Sequence, residues 1–236
     1  MEKVTGKKID CITVGAIETN CWLYRIDGAD ASGASAPCAI IDPGDEAGRI
    51  VRRLKELNWT PRYVFLTHGH LDHIAALPDL IEAFKESSGG ENTLPKIAIH
   101  RLDAHYLGKD SLAFHRESFI AAGGNPVFVD ALWKPMPDAD VLPEEAETIG
   151  PFRVLHVPGH TQGSIALYDE NAGALFTGDT LFEGDWGRTD LPGGNEEQIC
   201  ISLKRLLAMN GKITVYPGHG PAAVMEKCKN VLSLLQ

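Results

Sequence analysis

A chain of 236 residues, 44% hydrophobic and 23% charged, has ordinary globular composition and length enough to bury a sizeable core. Its formal net charge of −10 excludes a general phosphate-backbone binder and argues against docking on an anionic membrane. No apolar stretch reaches the roughly eighteen residues needed to cross a bilayer, and the N-terminal residues lack the apolar core of a signal peptide. The five cysteines, Cys11, Cys21, Cys38, Cys200 and Cys228, form no CxxC pair and fit buried, inert thiols in a reducing, cytoplasmic compartment.

In chain order, "DCITVGAI", "CWLYRI" and "CAIIDPG" predict three short strands, the last two separated by the loop "DGADASGASAP". "DEAGRIVRRLKELN" has helical spacing, with acids early and bases late as the helix dipole favours. "RYVFLTH" predicts a strand, and "LDHIAALPDLIEAFKE" a helix kinked at Pro78. "KIAIH" predicts another strand. From Arg101 to Glu145 the pattern is irregular, with helical pieces within "DAHYLGKDSLAFHRESFIAAG" and then four prolines. "FRVLHVPGH", "SIALYDE" and "GALFTGD" predict strands, "NEEQICISLKRLLAMN" a helix, "ITVYPGHG" a strand and "AAVMEKCKNVLSLLQ" a closing helix.

The polar clusters fall where strands end, which is where α/β scaffolds carry chemistry. "THGHLDH" packs His68, His70, Asp72 and His73 into one turn. His68 and His70 are two residues apart, so in extended chain both point the same way, with Gly69 permitting a tight path. Asp72 and His73 follow at a predicted helix start and diverge by roughly 100°. The first pair can face one point and the second a neighbouring one. "VPGHTQGS", "FTGDTLF" and "VYPGHGP" add His160, Asp179 and His219, each flanked by small residues that let the backbone approach closely. Imidazole and carboxylate without thiolate suit two divalent cations, zinc first, with iron and manganese as alternatives. His100, His105, His115 and His156 lack this context and are read as surface or core residues.

The series THGHLDH, GHT, GDT and GHG, spread over most of the chain, resembles the metallo-β-lactamase superfamily. Within it, "TGDTLFEGDWGRTDLPGG" is similar to the short glyoxalase II-like hydrolases. The resemblance implies an α/β (α+β) fold: an αββα sandwich of two mixed sheets with helices outside, formed by residues 1–236 as one domain. It implies His68, His70 and His160 on one metal, Asp72, His73 and His219 on the other, and Asp179 bridging them. Two metals so placed share a hydroxide that attacks a carbonyl carbon, with Asp72 orienting it. No separate general acid stands in these motifs. A thiolate, whose conjugate acid has a pKa of about 8.5, needs none to leave. The expected activity is therefore hydrolysis of a small-molecule thioester such as S-lactoylglutathione.

A mono-iron persulfide dioxygenase resembles the chain at His68, His160 and Asp179 and is the alternative enzyme. A lactonase and a non-catalytic, metal-stabilised domain are further readings. Longer glyoxalase II enzymes carry a C-terminal helical domain that helps hold glutathione, whereas here one predicted helix follows His219. Arg188, in a Gly-rich loop, is read either as a contact for a substrate carboxylate or as an ion-pair partner of Asp190 or Asp185. Asp42 in "IDPG" either orients a ligand histidine or forms an ordinary turn. Asn20 and Trp22 are expected near the site, Trp22 chiefly as core. The segment 101–145 is read as an insertion that serves as a lid or a homodimer contact, its Tyr106, Phe114, Phe119 and Trp133 filling core first.

Overall fold

Strand alternation decides the architecture. In the computed structural model, which describes residues 8–27, 35–88 and 94–234, the segment Thr19–Arg25 (β2) sends Cys21 and Leu23 to one face and Trp22 and Tyr24 to the other. All four are buried. A strand with two buried faces must be covered on both sides, and it is.

One sheet has five strands in sequence order: Ile9–Val14 (β1), β2, Ala36–Ile41 (β3), Trp59–Phe65 (β4) and Lys96–Ala98 (β5). The first two pairings are antiparallel and the last two parallel. The other sheet has six. Thr148–Ile149 (β6), Phe152–His156 (β7), Ile165–Asp169 (β8) and Ala174–Gly178 (β9) run antiparallel, followed by Thr214–Pro217 (β10), parallel to β9, and Ala223–Val224 (β11) at the edge.

Between the sheets lie Trp22, Tyr24, Ile41 and Phe65 from the first and Phe152, Val154, Leu167 and Phe176 from the second. Tyr24 and Phe152 meet at 4.8 Å between ring centres, and Phe65 meets Phe152 edge-on at 5.4 Å. The opposite face of the first sheet packs on helices Ala47–Leu57 (α1) and Leu77–Ser88 (α3), through Ile50, Leu54, Leu77 and Leu80. The outer face of the second packs on Glu196–Leu207 (α6), through Ile199, Leu203 and Leu206. The result is the four-layered sandwich of two mixed sheets and outer helices that the resemblance implies.

Two predicted elements differ. The helix predicted across Pro78 is two helices. Leu71–Ile74 (α2) ends in a turn, and α3 starts at Leu77. Pro78 thereby sits in a first turn, where its missing N–H has no helical partner to lose, and no kink is needed. The closing helix is largely replaced. β11 pairs antiparallel with β10, and only Met225–Cys228 (α7) is α-helical before a 3₁₀ turn over Lys229–Ser233. Burial of Ala223, Met225, Cys228 and Val231 against the second sheet overrides the helical spacing. Residues 235–236 of that prediction, and residues 28–34 of the predicted loop, lie outside the described residues.

The segment 101–145 holds a 3₁₀ turn at Ala104–Tyr106, then Leu112–Ala121 (α4) and Val127–Leu132 (α5). Tyr106 is buried as expected, but Phe114 is 42% exposed and Phe119 and Trp133 are only partly covered. None of the five cysteines is in a disulfide; Cys21, Cys38 and Cys228 are buried as expected, whereas Cys11 is exposed and Cys200 half-buried. Burial pushes the Cys38 thiol up to about 12 and that of Cys228 to about 11, so neither ionises at neutral pH.

Candidate metal centre

The end of β4, the start of α2 and the loops after β7, β9 and β10 converge at one edge of the sandwich. They bring together His68, His70, Asp72, His73, His160, Asp179 and His219. His68, His70 and His160 form one group with ligand atoms within 4.8 Å of one another; Asp72, His73 and His219 form another; and His68 and His73 form a third with Asp179. Asp179 reaches both sides. Its Oδ1 lies 3.3 Å from Nε2 of His73, and its Oδ2 lies 3.5 Å from Nε2 of His219 and 3.8 Å from Nε2 of His160.

Hydrogen bonds behind the histidines decide which nitrogen faces inward. The His160 Nδ1–H donates to the Arg188 carbonyl at 2.7 Å, and the His219 Nδ1–H donates to the Ile17 carbonyl at 3.1 Å. Carbonyls only accept, so Nδ1 carries a proton in both rings, and in the neutral form of each the lone pair is on the inward Nε2. His68 and His73 share a longer chain. Asp42 accepts from the backbone N–H and the hydroxyl of Thr67, both at 2.7 Å, and from Nδ1 of His73 at 3.0 Å. The Thr67 hydroxyl has spent its one proton on Asp42, so it accepts from Nδ1 of His68 at 3.1 Å. One carboxylate thus sets the tautomers of two histidines, the arrangement by which metal ligands are oriented. His70 is the exception. Its Nδ1 faces Nε2 of His160 at 2.9 Å and has no outward acceptor.

Four of the inward atoms have no hydrogen-bond partner. Nε2 of His68, of His70 and of His73, and Oδ1 of Asp179, are buried without one. Four such atoms in one cluster are costly unless something binds them. The electrostatics point to a cation. Burial, then the neighbouring imidazoles, hold His68 well below the usual histidine range; burial and His160 bring His70 to about 3. Both rings are therefore neutral. At His73, burial pulls downward, but Asp72, Asp179 and Asp42 outweigh it and raise the imidazole. His219 is raised in the same way by Asp72 and Asp179. Burial opposes ionisation of Asp72 and Asp179, yet His73 and the other imidazoles hold both carboxyls below the usual range. Neutral imidazoles beside ionised carboxylates that draw positive charge inward are a donor set for divalent cations. The cluster is open on one side. The Asp72 and His219 side chains are 28% and 27% exposed, whereas His68, His70, His73 and His160 are buried.

Close approach explains the small residues of the motifs. A Cβ on Gly218 would lie 2.2 Å from Oδ1 of Asp179, and one on Gly69 would lie 2.0 Å from the Tyr106 ring. Other anchors escaped the sequence reading. Asp103, 1% exposed, accepts from the Gly69 and Gly163 backbone N–H groups at 2.9 and 2.7 Å and from the Thr161 hydroxyl at 2.7 Å. It ties the His68–His70 loop to the His160 loop across the sequence. Asn20 and Trp22 tie β2 to the His219 loop. Trp22 Nε1 donates to the Pro217 carbonyl at 2.9 Å, and Asn20 Nδ2 to the Gly220 carbonyl at 2.7 Å. Trp22 is also core, as predicted. The Arg188 guanidinium makes a two-pronged contact with Asp190 at 2.7 and 2.8 Å, on the surface. His100 and His156 stack on each other at 4.2 Å, and His115 is buried; none of the three joins the cluster.

A family model described as the metallo-beta-lactamase superfamily matches residues 14–219. Hydroxyacylglutathione hydrolase GloC of Haemophilus influenzae is 34% identical over 216 residues, covering 90% of each chain. The probable metallo-hydrolase YqgX of Bacillus subtilis is 35% identical over 213 residues, covering 88% of each. Among solved structures, TTHA1623 in a di-iron-bound form is 31% identical, with a TM-score of 0.72 over 92% of this chain and 95% of that one.

Proposed function

Because the chain belongs to the metallo-beta-lactamase superfamily, a family of metal-dependent hydrolases, we propose that it hydrolyses thioesters of the S-lactoylglutathione kind on two divalent cations. The observation that carries this is the set of histidines whose outward nitrogens are tied down and whose inward nitrogens converge on Asp72 and Asp179. His68, His70 and His160 would hold one cation, and Asp72, His73 and His219 the other, with Asp179 between them. Zinc is the first assignment; the related di-iron form keeps iron in play. Bound cations would supply Lewis acidity and a water acidic enough to attack at neutral pH.

The chain's own residues do the rest. Asp72, held ionised by His73 and His219, accepts from the Thr19 hydroxyl at 3.1 Å and can accept a hydrogen bond from an attacking water at its solvent-facing side, orienting it. Asp42, Ile17 and Arg188 keep the imidazoles from turning. No other acid stands among the converging groups, which suits a thiolate leaving group. The similarity to a hydroxyacylglutathione hydrolase supports the same substrate class. A mono-iron dioxygenase would employ only His68, His160 and Asp179. The convergence of Asp72, His73 and His219 favours the hydrolase.

The test is metal analysis of the purified protein with a panel of thioesters and glutathione persulfide. Two equivalents of divalent metal and thioester cleavage, lost on chelation and regained on reloading, are expected. Fully metallated protein that leaves every thioester intact overturns the proposal, as does one iron with oxygen consumed on persulfide.

A further inference from the structure

A cavity of about 160 Å³ lies beside the cluster, lined by Leu102, His105, Tyr106 and Phe114 on one side and by Thr161 and Pro192 on another. Its inner wall is built from groups that touch the ligand loops. Thr161 follows His160. The Tyr106 ring lies against Gly69 and 6.1 Å from the His70 ring. Asp103, also in the wall, has its carboxylate spent on Gly69, Thr161 and Gly163. Its outer wall is exposed apolar surface: Leu102 is 43% and Phe114 42% exposed. No lysine or arginine is among the lining residues, and Glu117 is one of them.

Resting on the thioester-hydrolase reading, we propose that this cavity is a subsite for a short, uncharged, apolar group carried by the thioester. The size is that of a group, since pockets for whole drug-sized ligands run to roughly 300–1,000 Å³. The lining disfavours an anionic group: a carboxylate placed here would meet Glu117 and find no lysine or arginine. The exposed faces of Leu102 and Phe114 are the surface such a group would cover. The group can belong to either end of the substrate, the acyl chain or the thiol carrier, and the cavity's chemistry is the same for both.

Two series of thioesters test this with the metal-loaded enzyme. One lengthens an alkyl acyl chain on a fixed thiol, and the other lengthens an alkyl thiol under a fixed acyl group. On one series kcat/KM should rise by about fourfold per methylene until the cavity is full. Phe114→Glu and, separately, Leu102→Glu should flatten that rise by tenfold or more at the longest member. Metal content and melting temperature of each variant establish that it is folded and loaded. A flat response on both series, or a rise that both variants leave intact, overturns the subsite while the hydrolase reading stands. If no thioester is cleaved, that reading falls, and the subsite is judged by calorimetry with the matching uncleavable thioethers. Binding that tightens with chain length and is lost in Phe114→Glu supports it; binding indifferent to length overturns it.

Discussion

His73 donates from Nδ1 to Asp42 at 3.0 Å, and both side chains are essentially inaccessible to solvent. The same carboxylate acts on His68 through Thr67. Asp42 stands at φ 52°, a left-handed backbone that asparagine also tolerates. Asp42→Asn is therefore a clean probe. Its amide brings a donor to a place where three donors already converge, and one tautomer must reverse. Metal affinity should fall by about 10- to 100-fold, measured by competition with a chelator. An unchanged affinity would show that Asp42 only shapes its turn.

Asp103 should carry both stability and metal retention. Asp103→Asn replaces one acceptor oxygen by a donor among two backbone N–H groups and a hydroxyl. A buried donor left unpaired costs about 1–3 kcal/mol. Urea unfolding of the metal-free protein should show that loss, and the loaded variant should release its metal faster than the wild type.

Gly69→Ala places a methyl group into the Tyr106 ring, whose Cδ2 atom would be 2.0 Å away. Overpacking of this kind costs about 1–3 kcal/mol. Tyr106→Ala opens the space, so the two substitutions should couple. The double variant should be less destabilised than the sum of the single ones, read by denaturant unfolding of all four proteins. Strict additivity would mean that the loop relaxes around the methyl group.

His115 sets a pH dependence outside the metal cluster. Burial, against the partial support of the Tyr106 carbonyl, brings its imidazole to about 4. The unfolded chain binds that proton near pH 6.5 and the folded chain only near 4. Its folded pKa being depressed, the linked stability is present above about 6.5 and is lost as pH falls towards about 4. Metal-free wild type should lose about 3 kcal/mol more than His115→Gln over that window, measured by unfolding at each pH. Parallel curves would sink the assignment.

Arg188 divides its work between backbone and side chain. The carbonyl holds His160, while the guanidinium holds Asp190 on the surface. Arg188→Ala keeps the carbonyl, and an exposed ion pair contributes at most about 1 kcal/mol. Stability should change little. If the guanidinium also receives a substrate carboxylate, KM should rise severalfold with kcat nearly constant; an unchanged KM would leave it as a loop pin.

The chain alone shows the seven side chains that converge and the strand ends that carry them, because both are local. His68 and His70 stand two apart and point the same way in extended chain. The long amphipathic helices α1 and α6 were legible for the same reason. The chain's end differs from its helical spacing because its apolar residues serve burial on the second sheet, and β10 offers an edge that 223–224 can pair.

The sequence by itself determined which side chains can bind a cation and in what order the chain delivers them. Only the tertiary structure decided which nitrogen of each ring is free, that Asp103 joins two loops some 34 and 58 residues away, and that an apolar cavity opens beside them. Such hydrogen bonds form between strands and loops brought together by sheet packing. No periodicity along the chain encodes that distance in space.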